Sequence, residues 1–566
     1  MLDSARMTAA APLPHLTPWN RYFWTSGSEG VLRVQECRAC RRLLHPPLPR
    51  CPDCRSDDLT ETVVSGRGVI EGVTVNHQPW HPAFTPPYVI AIVSLAEDPA
   101  VRLTTNIVNC APDDAYIGLS VRVVFEQRED VWLPLFEPDP DTAPREPLLE
   151  WPMVDSRDLA TTPRQLPRVA AFDKFERKVV ISGIGMSTVG RRLARNPLGL
   201  MVDACLAAIA DAGLTVRDID GITSYPGAPV TLAGTTGGGV SDIEDVLRIR
   251  PIWFASGEEG AGQTNATVNA MLAVSAGICR HVLCVRGVWE STFQDLQRRG
   301  ELQSNPSGRI TGEMEGRLPF GAFSAANWIA MMATRHMQAF GTTREQLGAI
   351  AINARTNASR NPNAVYREPI TMDDYLGARM VTTPFGLYDC DAPCDGAVAV
   401  VISSVNTVSD LRAPLVGVEA VGTHLSERVS WDQGTVLHEP VLAGPARHVW
   451  TRTDLTPGDV DVAEIYDGFT FNCLSWLELL GFCEIGEGGP FVEGGRRIAL
   501  DGELPLNTHG GQLSAGRLHG WGFLHEACVQ LRGEGGDRQV AGNPEVAIVS
   551  SGGGHPGGVL LLTRWR

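Results

Sequence analysis

The 566-residue sequence contains no apolar run of 18 or more residues, so we expect no transmembrane helix and no membrane association. Its first residues lack a continuous hydrophobic stretch and include several prolines, so we expect no signal peptide. Basic residues are fewer than acidic ones, 48 against 65, and the formal net charge of −17 argues against nucleic-acid binding as the main role. A P-loop motif is absent, and Gly183 and Gly185 are not followed by the rest of a dinucleotide-binding fingerprint.

The 13 cysteines are an odd number, and most stand alone in apolar runs, which predicts a cytoplasmic protein without a disulfide framework. Four form two CxxC pairs separated by ten residues: Cys37, Cys40, Cys51 and Cys54. Two such pairs can direct four thiolates at one tetrahedral Zn²⁺, with no coordination position left open. We therefore predict a structural zinc ion. The alternative, a redox CxxC pair, needs a βαβ setting that this region lacks.

A strand-rich tract follows these cysteines and predicts a small barrel of the OB type. Its β-branched runs are GRGVIEGVTVNHQ, YVIAIVSLAED, VRLTTNIVNC and LSVRVVFEQRE. The basic, aromatic stripe of nucleic-acid-binding OB folds is missing. With FWTSGSEGVLRVQECRAC and PPLPRCPDC, residues 18 to about 137 resemble the acyl-CoA-associated zinc-ribbon/OB proteins (domain of unknown function 35). This resemblance implies a thiolase-like partner and a role in holding an acyl-CoA or supporting that partner's fold.

The sequence predicts four parts along the chain. They are an N-terminal helix and rubredoxin-like zinc ribbon (1–57), an OB barrel (58–137), a proline-rich linker (138–176) and an α/β domain (177–566). Eight prolines within residues 134–167 predict an extended, semi-stiff connection. Beyond it, amphipathic helices alternate with buried strands, a pattern typical of a layered α/β fold.

The α/β part resembles the thiolase superfamily, on its sterol-carrier-protein-thiolase-like branch. The resemblance rests on VVISGIGMS, DAGLTVRDIDGI, GTTREQLGAIAINARTNASRNPNAVYREPITMDDYL, PFGLYDCDAPCDGAVAVVISS, IYDGF, NTHGGQLSAG and SSGGGHPGG. It implies a five-layer fold of two βαβαβαββ halves, a homodimer, and acyl-CoA thioester substrates, so that CoA enters as part of the substrate.

The catalytic positions of the thiolases carry other residues here. The family's nucleophilic Cys falls near Gly260 or Ala261, and its second Cys falls at Ser550. The His of the GHP motif is replaced by Arg517, and the His of the HDCF motif is replaced by Tyr466. Cys279 and Cys284 are interpreted as core residues. A thiolase-like pocket with all four groups exchanged predicts a different reaction.

One branch of the superfamily, the steroid side-chain-cleaving aldolases, lacks the nucleophilic Cys and pairs with a zinc-ribbon/OB partner. This chain resembles that branch through Tyr466-Asp-Gly-Phe469 and through Gln512-Leu513 followed by His519-Gly520. It departs from the branch in two places. Gly468 replaces a family His, and Arg517 stands where the branch has a second catalytic Tyr.

The resemblance implies retro-aldol cleavage, or the reverse condensation, of a bulky β-hydroxyacyl-CoA to a ketone or aldehyde and a shortened acyl-CoA. We predict Tyr466 as the proton-transfer group, with Arg517 or His519 as the cation that lowers its pKa. His519 is also a candidate donor to the enolate, and His555 is a third candidate for this pocket. The turn expected to bind the CoA ester comprises Gly552, Gly553 and Gly554.

Two other functions stay open at this point: a thiolase-like acyltransferase acting on a β-ketoacyl-CoA, and a non-catalytic acyl-CoA-binding protein. Asp391 and Asp395 are interpreted as turn residues and Asp467 as an orienting residue. Glu258 or Glu259 is an alternative base. The segment 289–323 is expected to cover the acyl pocket.

Overall fold

The computed structural model describes residues 11–142, 173–226, 234, 236–257, 264–302, 309–412, 414–425, 431–439, 442–552 and 557–566. Among them, no helix is both long and apolar enough to cross a lipid bilayer. The predicted linker falls largely outside these residues.

The zinc ribbon consists of a short helix and a three-stranded antiparallel sheet. Its elements are α1 (Arg21–Thr25), β1 (Leu32–Cys37), β2 (Leu43–Leu44) and β3 (Leu59–Val64). β1 lies in the centre of the sheet, and its pairing with β3 carries the ribbon to residue 64, beyond the predicted boundary at 57. Each CxxC turn ends in an Arg with positive φ, Arg41 and Arg55 (both 65°), whose backbone N–H donates to the carbonyl of the first cysteine of its turn.

Five strands form the predicted barrel. They are β4 (Arg67–Asn76), β5 (Tyr88–Leu95), β6 (Arg102–Ile107), β7 (Ser120–Arg128) and β8 (Val131–Pro138). The order β4-β5-β6-β8-β7 closes because β7 pairs back onto β4. Alternating residues of these strands fill the interior, among them Ile70, Val93, Leu103, Val121 and Leu133. The barrel is therefore a packed core, as expected of a five-stranded OB fold.

The large domain is built on one nine-stranded sheet. Its strands are β9 (Val179–Met186), β10 (Gly221–Ser224), β11 (Trp253–Ser256), β12 (His281–Trp289), β15 (Asp395–Ser404), β16 (Val416–Gly422), β17 (Val462–Glu464), β18 (Val546–Ser551) and β19 (Gly558–Arg564). The order is β11-β10-β12-β15-β9-β16-β19-β18-β17. In the first half β10 runs parallel to β12, then β15 and β9 follow antiparallel; in the second, β17 runs parallel to β18, then β19 and β16 follow antiparallel. This repetition confirms the predicted two-half thiolase fold.

Helices cover both faces of this sheet and fill the connections. They are α2 (Pro197–Asp211), α3 (Val240–Leu247), α4 (Asn265–Ser275), α5 (Glu290–Arg298), α6 (Ala325–Phe340), α7 (Arg344–Ser359), α8 (Met372–Leu376), α9 (Ala443–Trp450), α10 (Thr470–Leu479), α11 (Gly488–Val492) and α12 (Trp521–Arg532). Alternate residues of β12 show the arrangement: Leu283 and Val285 pack with α2, whereas Val282 and Cys284 belong to the core that contains α4. The mixed sheet is thus buried on both sides, as in layered α/β folds that carry helices on both faces.

The barrel packs on the large domain of its own chain. A hairpin of that domain, β13 (Met380–Thr382) and β14 (Phe385–Gly386), extends the barrel sheet by pairing Thr382 with Asn76. Asn327 of α6 donates to Asn76 Oδ1 at 3.0 Å, and Thr104 donates to Asp432 at 3.0 Å. Phe320, from the segment expected to cover the acyl pocket, is buried in the barrel core. Hydrogen bonds and apolar contacts therefore both join the two parts.

Candidate active site

The four ribbon cysteines form a cluster that fits a tetrahedral metal ion. Their sulfur atoms all lie within 4.8 Å of one another, and the Cys37–Cys54 and Cys40–Cys51 pairs are 3.5 Å apart. Zinc–sulfur bonds of about 2.3 Å place tetrahedral sulfurs about 3.8 Å apart. The geometry agrees with structural zinc, bound by the predicted residues.

Three segments of the large domain contact one another and bring the catalytic candidates together. Asp391 N–H donates to Gly468 O at 3.0 Å, which joins the DCDAP turn to the YDGF segment. Ala392 N–H donates to Gln512 O at 3.0 Å, and Arg517 N–H donates to Ala392 O at 2.9 Å. Backbone hydrogen bonds thus hold residues 391, 466–468 and 512–517 in one place, although about 125 residues separate the first from the last in sequence.

Tyr466 lies at the end of β17, and its side chain is buried. Its backbone N–H donates to Ser550 Oγ at 3.0 Å, so the residue at the family's second Cys position orients the tyrosine backbone. Burial, followed by the Asp391 carboxylate, raises the pKa of Tyr466 above its ordinary value of 10, and these effects outweigh Gln512 and Arg517, which lower it. The phenol is therefore neutral at pH 7 and is a hydrogen-bond donor. Arg517, a cation that was expected to lower the pKa of this phenol, does lower it, but by less than burial and Asp391 raise it.

Arg517 is held between two carboxylates. Its Nη1 lies 3.0 Å from Asp391 Oδ1, and its Nε donates to Glu290 Oε2 at 2.7 Å. Burial alone would raise the pKa of Glu290, but Arg517 and His519 lower it to about 2. Glu290 therefore stays ionised, and it binds the guanidinium firmly because charge-assisted pairs of this kind are strong.

Asp391 has a different protonation behaviour from Glu290. Burial raises the pKa of Asp391 to about 7; Arg517 acts in the opposite direction, and Glu290 reinforces the increase. Two carboxylates that share one guanidinium thus differ widely in pKa, a common arrangement where one of them transfers protons. Asp391, interpreted from sequence as a turn residue, thus has a pKa near neutral pH.

His519 faces the other oxygen of Glu290, with Nε2 3.0 Å from Oε1. Burial and the nearby Arg286 lower the pKa of His519 to about 4, although Glu290 acts in the opposite direction. The imidazole is neutral at pH 7, so it does not supply the cation that was expected of it. Its contact with Glu290 places it in the same network as Arg517.

Gln512 lies in a single π-helical turn, Gly511–Ala515, that Asp467 holds in place. Gln512 N–H donates to Asp467 Oδ1 at 2.7 Å, and Asn507 Nδ2 donates to Oδ2 at 3.0 Å. Gly511 has φ +59°, and a Cβ there would lie 1.8 Å from Asp467 Oδ2, so this turn requires glycine. The Gln512 side-chain amide is buried, and it lies beside the Tyr466 phenol, whose pKa it lowers.

Of the other residues to which the sequence assigned a role in the active site, most lie outside the residues that the structure describes. Glu258, Glu259, Gly260, Ala261, Gly553, Gly554 and His555 lie outside the described residues. Gly552 packs against Leu442 and Trp476, where a Cβ would lie 2.7 Å from the leucine side chain. The roles predicted for these residues stay predictions.

None of the 13 cysteines forms a disulfide, and those of the large domain are poor nucleophiles. Cys279 and Cys284 are buried core residues, and burial raises the pKa of both. Burial also raises the pKa of Cys390 and Cys394, the two thiols that flank Asp391. A thiolate is the reactive form, so these positions do not replace the missing nucleophile.

Three residues of this site carried no catalytic prediction: Glu290, Asp391 and Gln512. Glu290 opens α5 immediately after β12, and a carboxylate following an apolar strand was the only sign of it. Asp391 is one of several acidic residues in a short turn. Gln512 was part of a recognised motif, yet its role depends on the turn that points its amide at Tyr466.

Three parts of the chain match known families. Residues 24–60 match the ChsH2 rubredoxin-like zinc ribbon domain, residues 61–126 match the ChsH2 C-terminal OB-fold domain, and residues 434–558 match the Thiolase C-terminal domain-like family. The ribbon and barrel predicted from sequence are thereby confirmed.

Curated relatives and solved structures cover the remaining large domain. The 17-hydroxy-3-oxo-4-pregnene-20-carboxyl-CoA lyase of Mycobacterium tuberculosis is 34% identical over 399 residues, which cover 68% of this chain and 99% of the relative. The steroid side-chain-cleaving aldolase of Thermomonospora curvata is 31% identical over 390 residues, 68% of this chain and 97% of the relative. The solved Ltp2-ChsH2(DUF35) aldolase is 30% identical with a TM-score of 0.61, covering 69% of this chain and 98% of that one. The chain therefore belongs to the steroid side-chain-cleaving aldolases of the thiolase superfamily, and it carries the zinc ribbon and OB barrel in the same polypeptide.

Proposed function

We propose that this chain cleaves a bulky β-hydroxyacyl-CoA by a retro-aldol reaction, or forms it in reverse, with Asp391 as the base and Tyr466 as the acid. The observation that carries the proposal is the convergence of Asp391, Tyr466 and the Gln512 amide in one buried site. A carboxylate with a pKa near 7, a neutral phenol and an amide donor are the groups that such a cleavage requires.

The reaction begins when the Asp391 carboxylate accepts the proton of the β-hydroxyl group. The O–H electrons form the new carbonyl, the Cα–Cβ bond breaks, and its electron pair passes into the thioester enolate. The side-chain amide of Gln512 donates a hydrogen bond from Nε2 to the enolate oxygen. Tyr466 then protonates Cα, and protonated Asp391 returns the proton to the phenolate, so that one proton has moved from oxygen to carbon.

Glu290, Arg517 and His519 act as positioning residues in this proposal. Arg517 binds both carboxylates, so it fixes Asp391 while its charge favours the developing enolate. His519 binds Glu290 from the other side and stays neutral. Arg517 thus takes the place that a second tyrosine has in the resembling branch, and Asp391 supplies the proton acceptor.

The acyltransferase alternative requires a nucleophile to receive the acyl group. The buried cysteines with raised pKa do not meet that requirement, whereas a retro-aldol cleavage needs no covalent intermediate. The non-catalytic alternative does not explain why a carboxylate with a pKa near 7 and a neutral phenol are buried close together.

The substrate proposal is based on the compound in the name of the Mycobacterium relative. That compound has a hydroxyl group on carbon 17 and a carboxyl-CoA group on carbon 20. Such a hydroxyl is β to the thioester and sits on a ring carbon, so cleavage gives a ketone. We propose substrates of this class, with a hydroxyl on a fully substituted β-carbon.

The decisive experiment measures cleavage of such β-hydroxyacyl-CoAs by mass spectrometry, with and without free CoASH. We expect a ketone and a shortened acyl-CoA without CoASH. Tyr466→Phe and Asp391→Asn are each expected to lower kcat by about 10²- to 10⁴-fold, the usual contribution of general acid–base catalysis. Tyr116→Phe and Asp501→Asn, at exposed positions on the barrel and the large domain, are the matched controls and retain full activity.

Cleavage that needs CoASH and acts only on β-ketoacyl-CoA contradicts the aldolase proposal. Full activity in Asp391→Asn contradicts the assignment of the base while leaving the reaction in place. Circular dichroism of each variant separates a catalytic loss from a folding loss.

A homodimer through the edge of the sheet is part of the same proposal. Among the residues that the structure describes, β11 pairs only with β10, and Ile252 and Phe254 beside its other edge are 69% and 70% exposed. An apolar edge strand is prone to pair with another chain, which here extends one sheet into a second copy. We also propose a reducing compartment such as the cytoplasm, because no two cysteines form a disulfide.

A further inference from the structure

A second cluster of metal-ligating side chains lies in the core of the large domain, apart from the ribbon. It comprises His336 on α6, His438 in the segment 431–439, and Glu478 on α10. All three side chains are at most 1% exposed. The three elements come from distant parts of the sequence, so their convergence is a property of the fold.

The ligand atoms face one another across one small space. His336 Nε2 lies 3.1 Å from both Glu478 Oε1 and Oε2, and His438 Nε2 lies 3.1 Å from Oε2. Metal–ligand bonds of about 2.0–2.1 Å in a tetrahedral site place ligand atoms about 3.3 Å apart. A single N–H points poorly at two oxygens that are equally distant from it, whereas a metal ion between the nitrogen and the carboxylate uses both.

The outer contacts orient these groups as a metal site requires. Thr342 Oγ1 lies 3.0 Å from His336 Nδ1, which leaves Nε2 as the nitrogen aimed at the cluster. Gly488 N–H donates to Glu478 Oε1 at 2.9 Å. Phe471 stacks against the His438 ring and meets the His336 ring edge-on. Hydrogen-bonded ligands within a dry, aromatic shell are typical surroundings of a bound transition metal.

The charge of the cluster also favours a cation. Glu478 is a fully buried carboxylate, and the two imidazoles lower its pKa despite its burial, so it is ionised. Burial lowers the pKa of His438, which favours its neutral, metal-binding form. Two imidazoles with one buried carboxylate match the ligand set of Zn²⁺ and the neighbouring divalent metals, and such a metal would also compensate the charge of the carboxylate.

We propose that His336, His438 and Glu478 bind a divalent first-row transition metal, Zn²⁺ foremost, as a second structural site of this chain. The ion would clamp the segment 431–439 onto α6 and α10. That segment also carries the contacts to the barrel, through Asp432 and Gln433. Glu439, which follows His438, accepts a hydrogen bond from Asn472 Nδ2. Asn472 Oδ1 in turn accepts from Phe469 N–H and so caps α10 directly after the YDGF segment. The site therefore ties the docking surface of the barrel to the scaffold of the active site.

The test is the metal content of the purified full-length protein, measured by inductively coupled plasma mass spectrometry after equilibration with Zn²⁺ and removal of free metal. We expect two equivalents per chain in the wild type, one in His438→Ala, one in Cys40→Ser and none in the double variant. His81→Ala, which alters a histidine of the barrel region, retains two. A wild-type content of one equivalent that Cys40→Ser removes completely overturns the proposal.

X-ray absorption at the zinc edge provides a second readout that does not depend on His438→Ala folding. In Cys40→Ser the remaining metal is expected to have only nitrogen and oxygen ligands near 2.0–2.1 Å. Sulfur ligands at about 2.3 Å would place that metal in the ribbon and overturn the second site. Neither measurement uses cleavage activity, so the result is independent of the proposed reaction.

Discussion

Gly468 leaves the space that the phenol of Tyr466 occupies: a Cβ at position 468 would lie 2.7 Å from Tyr466 Cε1 and 3.1 Å from its hydroxyl oxygen. The same glycine accepts the hydrogen bond from Asp391 N–H through its carbonyl. Gly468 therefore lets the phenol of Tyr466 lie against the backbone that carries Asp391.

Gly468→Ala is expected to lower kcat by about 10²-fold, because a methyl group moves the phenol by a fraction of an ångström or more and catalysis is that sensitive to position. Steady-state cleavage kinetics and the melting temperature provide the measurement. Gly199→Ala is the matched control, since its Cβ would lie 3.8 Å from the nearest atom within α2. Equal activity of the two variants would show that Tyr466 tolerates the displacement.

The pH dependence of kcat/KM is expected to follow Asp391. Its pKa is raised to about 7, and it must be ionised to accept the substrate proton, so activity falls about tenfold per pH unit below 7 and reaches a plateau above it. Glu290, with a pKa of about 2, and His519, with a pKa of about 4, do not titrate in that range. The measurement is a pH–rate profile in constant ionic strength.

Asp391→Asn is the accompanying variant for this profile. We expect its residual activity to lose the inflection near pH 7, because the amide does not titrate. An unchanged inflection in Asp391→Asn would assign the titration to another group.

The ribbon, the barrel and the thiolase fold could be predicted because each leaves a local trace in the sequence: cysteine spacing, alternating β-branched residues, or a long ordered motif. The position of Tyr466 was predictable in the same way. The pKa of Asp391 was not, since it arises from burial and from Glu290, a residue about 100 positions away. The network around Arg517 was also missed, because two carboxylates from separate elements determine what its charge does.

The packing of the barrel on the large domain could not be predicted from the sequence either. The β13–β14 hairpin belongs to the large domain, yet it pairs with the barrel strand β4. Only the folded chain brings Thr382 beside Asn76. Residues at such contacts follow no local periodicity that separates them from ordinary polar loop residues.

If two copies pair through β11 as proposed, Phe254→Asp is expected to convert the dimer to a monomer, because a carboxylate on β11 opposes pairing of two apolar edges. Light scattering coupled to gel filtration would then give the 61.1 kDa mass of one chain instead of twice that value. Val63→Asp, on an exposed position of the ribbon strand β3, is the control and leaves the dimer intact. A wild-type protein that is already monomeric, or a dimeric Phe254→Asp, would contradict pairing through β11.

Arg102 is expected to be the residue whose loss most weakens the attachment of the barrel. Its Nε lies 2.9 Å from Glu71 Oε2, its guanidinium donates to the carbonyl of Gly434, and only 7% of its side chain is exposed. Arg102→Ala removes the ion pair with the largely buried Glu71, so we expect the free energy of unfolding to fall by about 1.5–3 kcal/mol, the usual contribution of a hydrogen bond between charged groups. Guanidinium denaturation followed by tryptophan fluorescence measures this change.

Arg122→Ala is the matched control on the same barrel, because the ion pair of Arg122 with Glu137 is 2.8 Å long but 46% of the arginine side chain is exposed. An exposed pair contributes little, so we expect a loss within about 1 kcal/mol. Hydrogen exchange should separate the two variants further: Arg102→Ala accelerates exchange in residues 431–439, where Gln433 donates to the Arg102 carbonyl, and Arg122→Ala does not. Equal losses of stability in both variants, with no local change in exchange, would mean that the apolar contacts alone hold the barrel and that the buried arginine is dispensable.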